Sequence, residues 1–347
     1  MCIYKLCFVS YNPWIPYQVS MPSASAREDA APFYRQSDET VWRTIKNGYH
    51  VTSRTRVVVL GAYGMLGHRL LLQLAHKHDV KGTCRRINER IPDNFLPRDL
   101  LFEGVDATGM QSVANCFSRF EPDVAVNCIG IVKQSELAKS PVPSITINSL
   151  FPHLVAELCA ENGIRLVHFS TDCVFSGTKG NYRLSDPHDA QDLYGRTKSL
   201  GELDEKEGFT IRSSIVGREL ESSHGLVEWL VSNRGKKVKG FTKAIFTGLT
   251  THEMANVVGT ILERPGLRGV RQVASEAISK FDLLSLIAKE LALGIKVEPY
   301  PEYFCDRSLD GSLFQKETGY VAPAWKDMIA SMAKDWSSYD AMKKAIG

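Results

Sequence analysis

Short β-branched runs alternate with segments of helical spacing over residues 56–213. The first run, Arg56-Val57-Val58-Val59-Leu60-Gly61, ends in glycine and is typical of a buried parallel strand. Leucines at positions 66, 70, 71 and 74 then recur on one helical face. The same patterns predict strands at 80–84, 100–102, 124–129, 165–170 and 210–213, and helices at 110–119, 144–161 and 193–206. This alternation predicts an α/β fold, a Rossmann-type doubly wound parallel sheet.

The pattern changes on both sides of this region. Residues 1–54 have no sustained period and contain several prolines, so we expect a poorly ordered N-terminal extension, with a short helix at 38–47. Towards the C terminus, helical periods return at 252–262, 279–291 and 325–342. We therefore predict a dinucleotide-binding Rossmann domain at 55–217. A smaller C-terminal α/β substrate-binding region should follow at 218–347, partly interleaved with the Rossmann core.

A glycine-rich loop, Gly61-Ala62-Tyr63-Gly64-Met65-Leu66-Gly67, joins the first strand to the first helix. Glycines allow a tight turn and let the backbone approach a pyrophosphate, whose charge is stabilised by free N–H groups and the helix dipole. The sequence therefore predicts dinucleotide contacts at Gly61, Tyr63, Gly64, Met65, Leu66 and Gly67.

Two arginines, Arg85 and Arg86, follow the second predicted strand. An NAD-preferring site commonly places an acidic residue there for the ribose 2′-hydroxyl. Two positive charges suit a 2′-phosphate instead, so we expect NADP(H) to be favoured over NAD(H). The alternative is that both arginines are ordinary surface charges.

The reacting centre is predicted from three residues. Tyr194 and Lys198 are four positions apart, so both project from one helical face. A free phenol has a pKa of about 10, and a neighbouring ammonium is expected to lower that pKa. Thr171 follows a buried strand, at the sheet edge where open α/β sheets bind ligands. We predict Thr171, Tyr194 and Lys198 as catalytic residues acting at a carbonyl or alcohol carbon.

Together these motifs resemble the extended short-chain dehydrogenase/reductase superfamily and, within it, the dTDP-4-dehydrorhamnose reductase-like group. That group's segment reads approximately S-T-D-Y-V-F-D-G, against Ser170-Thr171-Asp172-Cys173-Val174-Phe175-Ser176-Gly177 here. The resemblance covers the chain from about residue 56 onward. It implies that Tyr194 donates a proton to the carbonyl oxygen and that Lys198 tunes Tyr194 and holds the nicotinamide ribose. Thr171 would hydrogen-bond the substrate oxygen.

The resemblance also implies further contacts. Asp106 matches an acidic position near the adenine, and Asn148 matches an asparagine that supports the active site. Further cofactor contacts are expected at Asn127, Cys128, Ile129 and Gly130. Substrate contacts are expected at Asp172, Val174, Phe175, Arg212 and Lys243, with Arg307 as another cationic candidate. Cys173 and Ser176 replace the group's usual Tyr and Asp, which leaves the sugar undetermined.

The expected reaction is NADPH-dependent reduction of a nucleotide-linked 4-keto-6-deoxysugar. One alternative is a nucleotide-sugar epimerase or dehydratase on the same fold. The family's dehydratases follow the catalytic threonine with Asp-Glu, whereas Asp172 is followed here by Cys173. The other alternative is a non-catalytic NAD(P)-binding regulatory protein, because relatives of this group include the regulatory subunit of methionine adenosyltransferase.

Composition sets the remaining expectations. The formal net charge of +3 is too small to indicate a nucleic-acid or membrane partner. No run of about 18 apolar residues predicts a spanning helix. The 8 cysteines lack the C-x2-C spacing of metal or redox sites, and several lie in apolar runs, as in a reducing compartment. We expect a cytoplasmic enzyme without a metal or a cleaved signal peptide, acting on a nucleotide-diphosphate sugar, with a homodimer left open.

Overall fold

Strand and helix alternate along the first half of the described chain. The computed structural model describes residues 54–346. Apart from Arg54, the predicted N-terminal extension and its helix at 38–47 lie outside the described residues. The first strands are β1 (Arg56–Leu60), β2 (Asp79–Cys84), β3 (Leu101–Glu103), β4 (Val124–Asn127), β5 (Arg165–Ser170) and β6 (Phe209–Arg212). The helices are α1 (Gly67–Leu74), α2 (Met110–Phe120), α3 (Pro141–Ile145), α4 (Phe151–Glu161) and α5 (Leu193–Leu200), with a π-helical turn at Thr146–Leu150 between α3 and α4.

The C-terminal part mixes short strands with helices. Its strands are β7 (Ile215–Val216), β8 (Lys237–Phe246), β9 (Leu249–Thr250), β10 (Gly269–Gln272), β11 (Ile278–Ser279) and β12 (Lys296–Asp306). Its helices are α6 (Leu226–Ser232), α7 (Thr251–Leu262), α8 (Lys280–Glu290), α9 (Ser312–Thr318), α10 (Trp325–Ala333) and α11 (Trp336–Ile346). No helix within residues 54–346 is long and apolar enough to cross a membrane.

The main sheet has seven parallel strands in the order β10-β6-β5-β4-β1-β2-β3. The chain runs outward from β1 to β3, then returns to β4 on the other side of β1 and runs outward again. The order therefore reverses between β1 and β4, and such a switch point is where open α/β sheets bind ligands. The predicted Rossmann-type doubly wound sheet is confirmed. Strand β10 comes from the C-terminal part, and the predicted division at residue 217 stays a prediction.

Strand β1 lies in the middle of the core. Val57 and Val59 pack in one apolar cluster, while Val58 and Leu60 pack in a second cluster. All four side chains have 0% exposed surface. Successive side chains of a strand point to opposite faces, so a strand covered on both faces needs a continuous apolar run. The β-branched run beginning at Val57 satisfies this requirement.

Outside the main sheet, β8 pairs with β12 in parallel and with β11 in antiparallel orientation. A separate two-stranded sheet joins β7 and β9. Helix α8 packs on β8 and β12, so the C-terminal part forms its own α/β layer.

Two predicted helices differ from the structure. The predicted helix at 193–206 is wrong beyond Leu200, where α5 ends. A Cβ at Gly201 would lie 2.0 Å from the backbone carbonyl oxygen of Asn148, so the chain turns away at a close backbone approach. The predicted amphipathic stretch at 325–342 is two helices, α10 and α11. The break lies at Asp335, whose carboxylate hydrogen-bonds with His252 at 3.1 Å.

Candidate active site

The glycine-rich loop lies between β1 and α1, beside the switch point of the sheet. Gly61 has φ +93°, a conformation that costs glycine little. A Cβ at Gly67 would lie 2.0 Å from the carbonyl oxygen of Gly61, so the loop closes this tightly only with glycine there. The N–H of Gly64 donates to that same carbonyl at 3.2 Å. Helix α1 has no side-chain cap and no acidic residue in its first turn, which leaves its N–H groups available to an anion.

The outer side of this loop meets the end of β2. The Tyr63 hydroxyl accepts a hydrogen bond from the backbone N–H of Asn88 at 2.9 Å, and burial raises the pKa of Tyr63. Arg85 and Arg86 are exposed, and no ion pair of either is found with another residue of the described range. Both guanidinium groups are therefore open to an incoming anion.

Asp106 lies in the loop after β3. Its carboxylate accepts hydrogen bonds from the Thr108 backbone N–H at 2.8 Å and from the Thr108 hydroxyl at 2.7 Å. These hydrogen bonds hold the pKa of Asp106 below its ordinary value. Asp106 is therefore ionised at neutral pH, in a turn that fixes its position.

The segment after β4 is fixed by two buried asparagines. The Asn127 side-chain oxygen accepts from the Ile129 N–H at 3.0 Å. Asn148, in the π-helical turn, accepts from the Ile131 N–H at 2.8 Å and donates to the Ile131 carbonyl at 3.0 Å. Gly130 lies between them, and a Cβ there would be 4.0 Å from the ammonium of Lys198. Asn148 thus holds a glycine-containing segment close to Lys198.

Cys128 lies in the same segment. It is half-buried and borders the core cluster of β1. Burial raises the pKa of its thiol, so Cys128 is a neutral, apolar neighbour of the site.

The structure brings Thr171 and Tyr194 together at the carboxyl edge of the sheet. Thr171 directly follows β5, and its hydroxyl accepts from the Cys173 N–H at 3.1 Å and donates to Asp172 at 3.2 Å. Tyr194 lies in the first turn of α5, where the carboxylate of Asp192 caps the helix by accepting from Gly195 N–H at 2.9 Å. The cap fixes where α5 begins and hence where the phenol lies.

The acidity of Tyr194 differs from the prediction. Burial raises the pKa of Tyr194, the nearby Cys173 and Asp172 add to the rise, and the Thr171 hydroxyl opposes it. The expected lowering of this pKa by Lys198 is therefore wrong for this structure. The Lys198 ammonium instead donates to the carbonyl oxygen of Phe169 at 2.6 Å. A phenol with a raised pKa is protonated near neutrality, so Tyr194 has a proton to donate, and the same rise makes it a weaker acid.

Three of the residues predicted to contact substrate are instead buried in the core or held in an ion pair. Val174 and Phe175 are fully buried and pack with Tyr182 in a small core cluster, so their side chains are closed to a ligand. Arg212 is 2% exposed, and its guanidinium forms an ion pair with Glu202 at 2.6 Å. We do not propose these three as side-chain contacts.

The other predicted substrate residues differ in exposure, with Asp172 buried, Arg307 half-buried and Lys243 exposed. Asp172 is 5% exposed and lies beside Thr171. Lys243 is exposed on β8. Arg307 donates from Nε to the Phe175 carbonyl at 2.8 Å, beside the segment that carries Thr171.

A cation that the sequence pattern does not single out also reaches this region. Lys280 begins α8, and its ammonium lies 3.6 Å from the ring centroid of Phe246. No hydrogen-bond acceptor for this ammonium is found in the described part of the chain. Lys280 and Arg307 both interact electrostatically with the carboxylate of Asp172. Only the tertiary packing of α8 on β8 brings Lys280 here, so its sequence neighbours carry no signal.

The doubly wound sheet, the glycine-rich loop and a match to a known family together define a dinucleotide-binding oxidoreductase of the extended short-chain dehydrogenase/reductase type. The profile of the RmlD substrate binding domain family matches residues 55–337, so the chain belongs to this family.

Two relatives and one solved structure illustrate the similarity. The probable low-salt glycan biosynthesis reductase Agl14 of Haloferax volcanii is 26% identical over 309 residues, covering 82% of this chain and 99% of that protein. The dTDP-4-keto-6-deoxy-D-glucose reductase of Streptomyces niveus is 32% identical over 148 residues, covering 42% of this chain and 46% of that protein. The crystal structure of dTDP-4-dehydrorhamnose reductase from Bacillus anthracis in complex with NADP has a TM-score of 0.67 at 17% identity, covering 81% of this chain and 99% of that chain. At this identity the likeness shows the fold alone.

Proposed function

We propose that this protein is an NADPH-dependent reductase of a nucleotide-linked 4-keto-6-deoxysugar. The observation that carries the proposal is the meeting of Thr171, Tyr194 and Lys198 at the sheet edge beside the glycine-rich loop. The names of the relatives, a glycan biosynthesis reductase and a dTDP-4-keto-6-deoxy-D-glucose reductase, support the substrate class.

The loop fits a dinucleotide. The cradle between Gly61 and Gly67 has no room for a Cβ, and the uncapped start of α1 offers N–H groups to a pyrophosphate. When bound, NADPH supplies the hydride that reduces the carbonyl carbon. The segment at 127–130, Asn148 and Asp106 complete the proposed cofactor site.

The chain's own residues supply the proton and stabilise the oxygen. Tyr194, kept neutral by its raised pKa, donates its proton to the carbonyl oxygen. Thr171 exchanges its hydrogen bond to Asp172 for one to the same oxygen, where negative charge develops. Lys198 holds the nicotinamide ribose and presents a positive charge beneath the reacting groups.

The proposed preference for NADPH rests on Arg85 and Arg86. Both are exposed at the end of β2, where the ribose 2′ position of a bound dinucleotide lies in this fold class. Guanidinium groups bind phosphate with paired, charge-assisted hydrogen bonds. For the substrate, Lys243, Lys280 and Arg307 are the proposed cations for the diphosphate, and Asp172 lies beside the sugar.

The deciding experiment is product analysis of the purified protein with a panel of nucleotide 4-keto-6-deoxysugars and both cofactors. We expect oxidation of NADPH, with one nucleotide 6-deoxysugar formed for each NADPH consumed. A change of configuration without consumption of NADPH would instead identify an epimerase, and loss of water from a nucleotide hexose that still carries its 6-hydroxyl, tested beside the panel, would identify a dehydratase. Cofactor binding without turnover of any panel member would identify the regulatory alternative. The cytoplasmic location and the homodimer stay predictions.

A further inference from the structure

A chain of buried hydrogen bonds joins the last helix, α11, to the glycine-rich loop. His68, with 0% exposed surface, hydrogen-bonds through Nδ1 with the carbonyl oxygen of Gly64 at 2.8 Å. Its Nε2 lies 2.7 Å from the hydroxyl of Tyr339 on α11. A carbonyl oxygen only accepts, so Nδ1 carries the ring proton and Nε2 accepts from the Tyr339 hydroxyl. Burial lowers the pKa of His68 to about 4, which keeps the ring neutral at pH 7.

This contact, together with the His68 backbone N–H that donates to the same carbonyl at 3.2 Å, orients one peptide of the loop. The peptide between Gly64 and Met65 is planar and trans, so its carbonyl and its N–H point in opposite directions. Fixing the Gly64 carbonyl towards His68 therefore fixes the Met65 N–H on the other side. No acceptor for this N–H is found among residues 54–346. It is one of the loop N–H groups that the proposed function directs at the pyrophosphate.

Helix α11 is firmly anchored at the end that carries Tyr339. Asp335 forms an ion pair with Arg69, the residue after His68 on α1. Arg218, 2% exposed, lies 3.8 Å from the ring centroid of Trp336 on α11. Tyr339 itself is 2% exposed, so its hydroxyl has no solvent-facing alternative to His68.

We propose that Tyr339 and His68 are positioning residues for the cofactor, acting through the Gly64 carbonyl to hold the loop in its pyrophosphate-binding shape. The inference rests on the proposed function, because it requires the loop to bind a dinucleotide. Among residues 54–346, the Tyr339 hydroxyl contacts the loop through His68. Its hydroxyl therefore contributes to dinucleotide affinity and leaves sugar binding unchanged.

The test compares two deletions of a buried hydroxyl. Tyr339→Phe removes the hydroxyl that hydrogen-bonds with His68 and keeps the ring. We expect its Kd for NADPH, measured by fluorescence titration, to rise about three- to tenfold, the effect of one hydrogen bond. Its KM for the sugar nucleotide should not change. Tyr320→Phe is the matched control, because the Tyr320 hydroxyl donates to Glu253 at 2.8 Å and forms no hydrogen bond to His68 or to loop residues 61–67 within the described range.

Comparison of the two variants separates positioning from stability. Both should lower the melting temperature, but only Tyr339→Phe should weaken NADPH binding. Equal NADPH affinity in the two variants would overturn the inference. A wild-type protein that binds neither NADPH nor NADH would overturn the proposed function, a result distinct from the previous one.

A double-mutant cycle tests the route through His68. His68→Asn places an amide donor near the former Nδ1 position but is too short to reach Tyr339. In this background, Tyr339→Phe should cost no further NADPH affinity. A full additional loss of NADPH affinity would show that Tyr339 acts by another route, and would overturn the inference that it acts through His68.

Discussion

The ammonium of Lys198, on α5, donates a 2.6 Å hydrogen bond to the backbone carbonyl of Phe169, on β5. The contact ties the helix that carries Tyr194 to the strand that Thr171 follows. Because the ammonium is buried, its pKa falls to about 8, although the charge of Glu202 opposes the fall. The hydrogen bond therefore fixes the geometry of the proposed reacting groups, and the burial of the ammonium sets the pH range in which Lys198 is charged.

We expect kcat/KM for NADPH-dependent reduction to fall as the pH rises through about 8, the pKa of Lys198. Below this pH the ammonium holds its positive charge, and above it the charge is lost. Tyr194 does not contribute to this fall, because its pKa is raised above its ordinary value. The measurement is a pH–rate profile of the wild type.

Lys198→Arg provides the control for the pH dependence. Arginine keeps its charge at every accessible pH, so the fall in rate should move to higher pH even where the maximal rate is reduced. A wild-type profile that stays flat up to about pH 10 would contradict the assignment.

Tyr194→Phe removes the proposed proton donor and little else. We expect turnover to fall by about 10²–10⁴-fold, the usual contribution of a positioned acid. The Kd for NADPH should stay at the wild-type value. Single-turnover kinetics and fluorescence titration measure the two quantities separately. Near-normal turnover would remove Tyr194 from the mechanism.

Replacing Arg85 and Arg86 together by alanine should weaken NADPH binding about ten- to hundredfold and leave NADH binding largely unchanged. The reason is that only NADPH carries the 2′-phosphate that the two guanidinium groups would bind. Isothermal titration with both cofactors measures the difference. Arg90→Ala, an exposed arginine of the same segment, is the control. Equal losses for both cofactors would refute the 2′-phosphate role.

Arg218→Ala should reduce the free energy of unfolding by about 3 kcal/mol. Arg218 forms a 2.6 Å ion pair with Glu228, which is 5% exposed. Without Arg218, Lys343 is the ion-pair partner that remains for this carboxylate among residues 54–346. Urea unfolding measures the change. Arg271→Ala breaks the more exposed pair with Glu317 and should cost about 1 kcal/mol or less. Equal losses of unfolding free energy in the two variants would show that burial of the Arg218–Glu228 pair does not increase its contribution to stability.

Local patterns were enough to predict the Rossmann region. The run Val57–Leu60 is apolar on both faces. Gly61 and Gly67 mark a turn that is too tight for a residue with a Cβ at position 67. The end of α5 could not be predicted in this way. Residues 201–206 still look helical in sequence, and the helix stops because Gly201 approaches the backbone of Asn148.

The candidate site likewise combines features that follow from local sequence with features that only tertiary packing decides. Tyr194 and Lys198 are neighbours on one helix, so their pairing follows from their spacing alone. Their acidity does not, because burial decides it, together with the nearby Asp172 for Tyr194 and Glu202 for Lys198. Arg212 has the charge of a phosphate ligand, but a buried partner, Glu202, already neutralises it.

By itself, the sequence determined the alternation of strands and helices, the glycine-rich loop and the spacing of the proposed catalytic residues. These properties depend on neighbours a few residues apart, which a linear pattern records. The tertiary structure alone decided which charged side chains can meet a ligand. It places Lys280 within electrostatic range of Asp172 and encloses Arg212 in an ion pair with Glu202. It also brought Tyr339 into contact with His68, although the two residues are 271 positions apart in the sequence. Such contacts depend on which surfaces meet when the core forms, and that is set by packing over the entire chain.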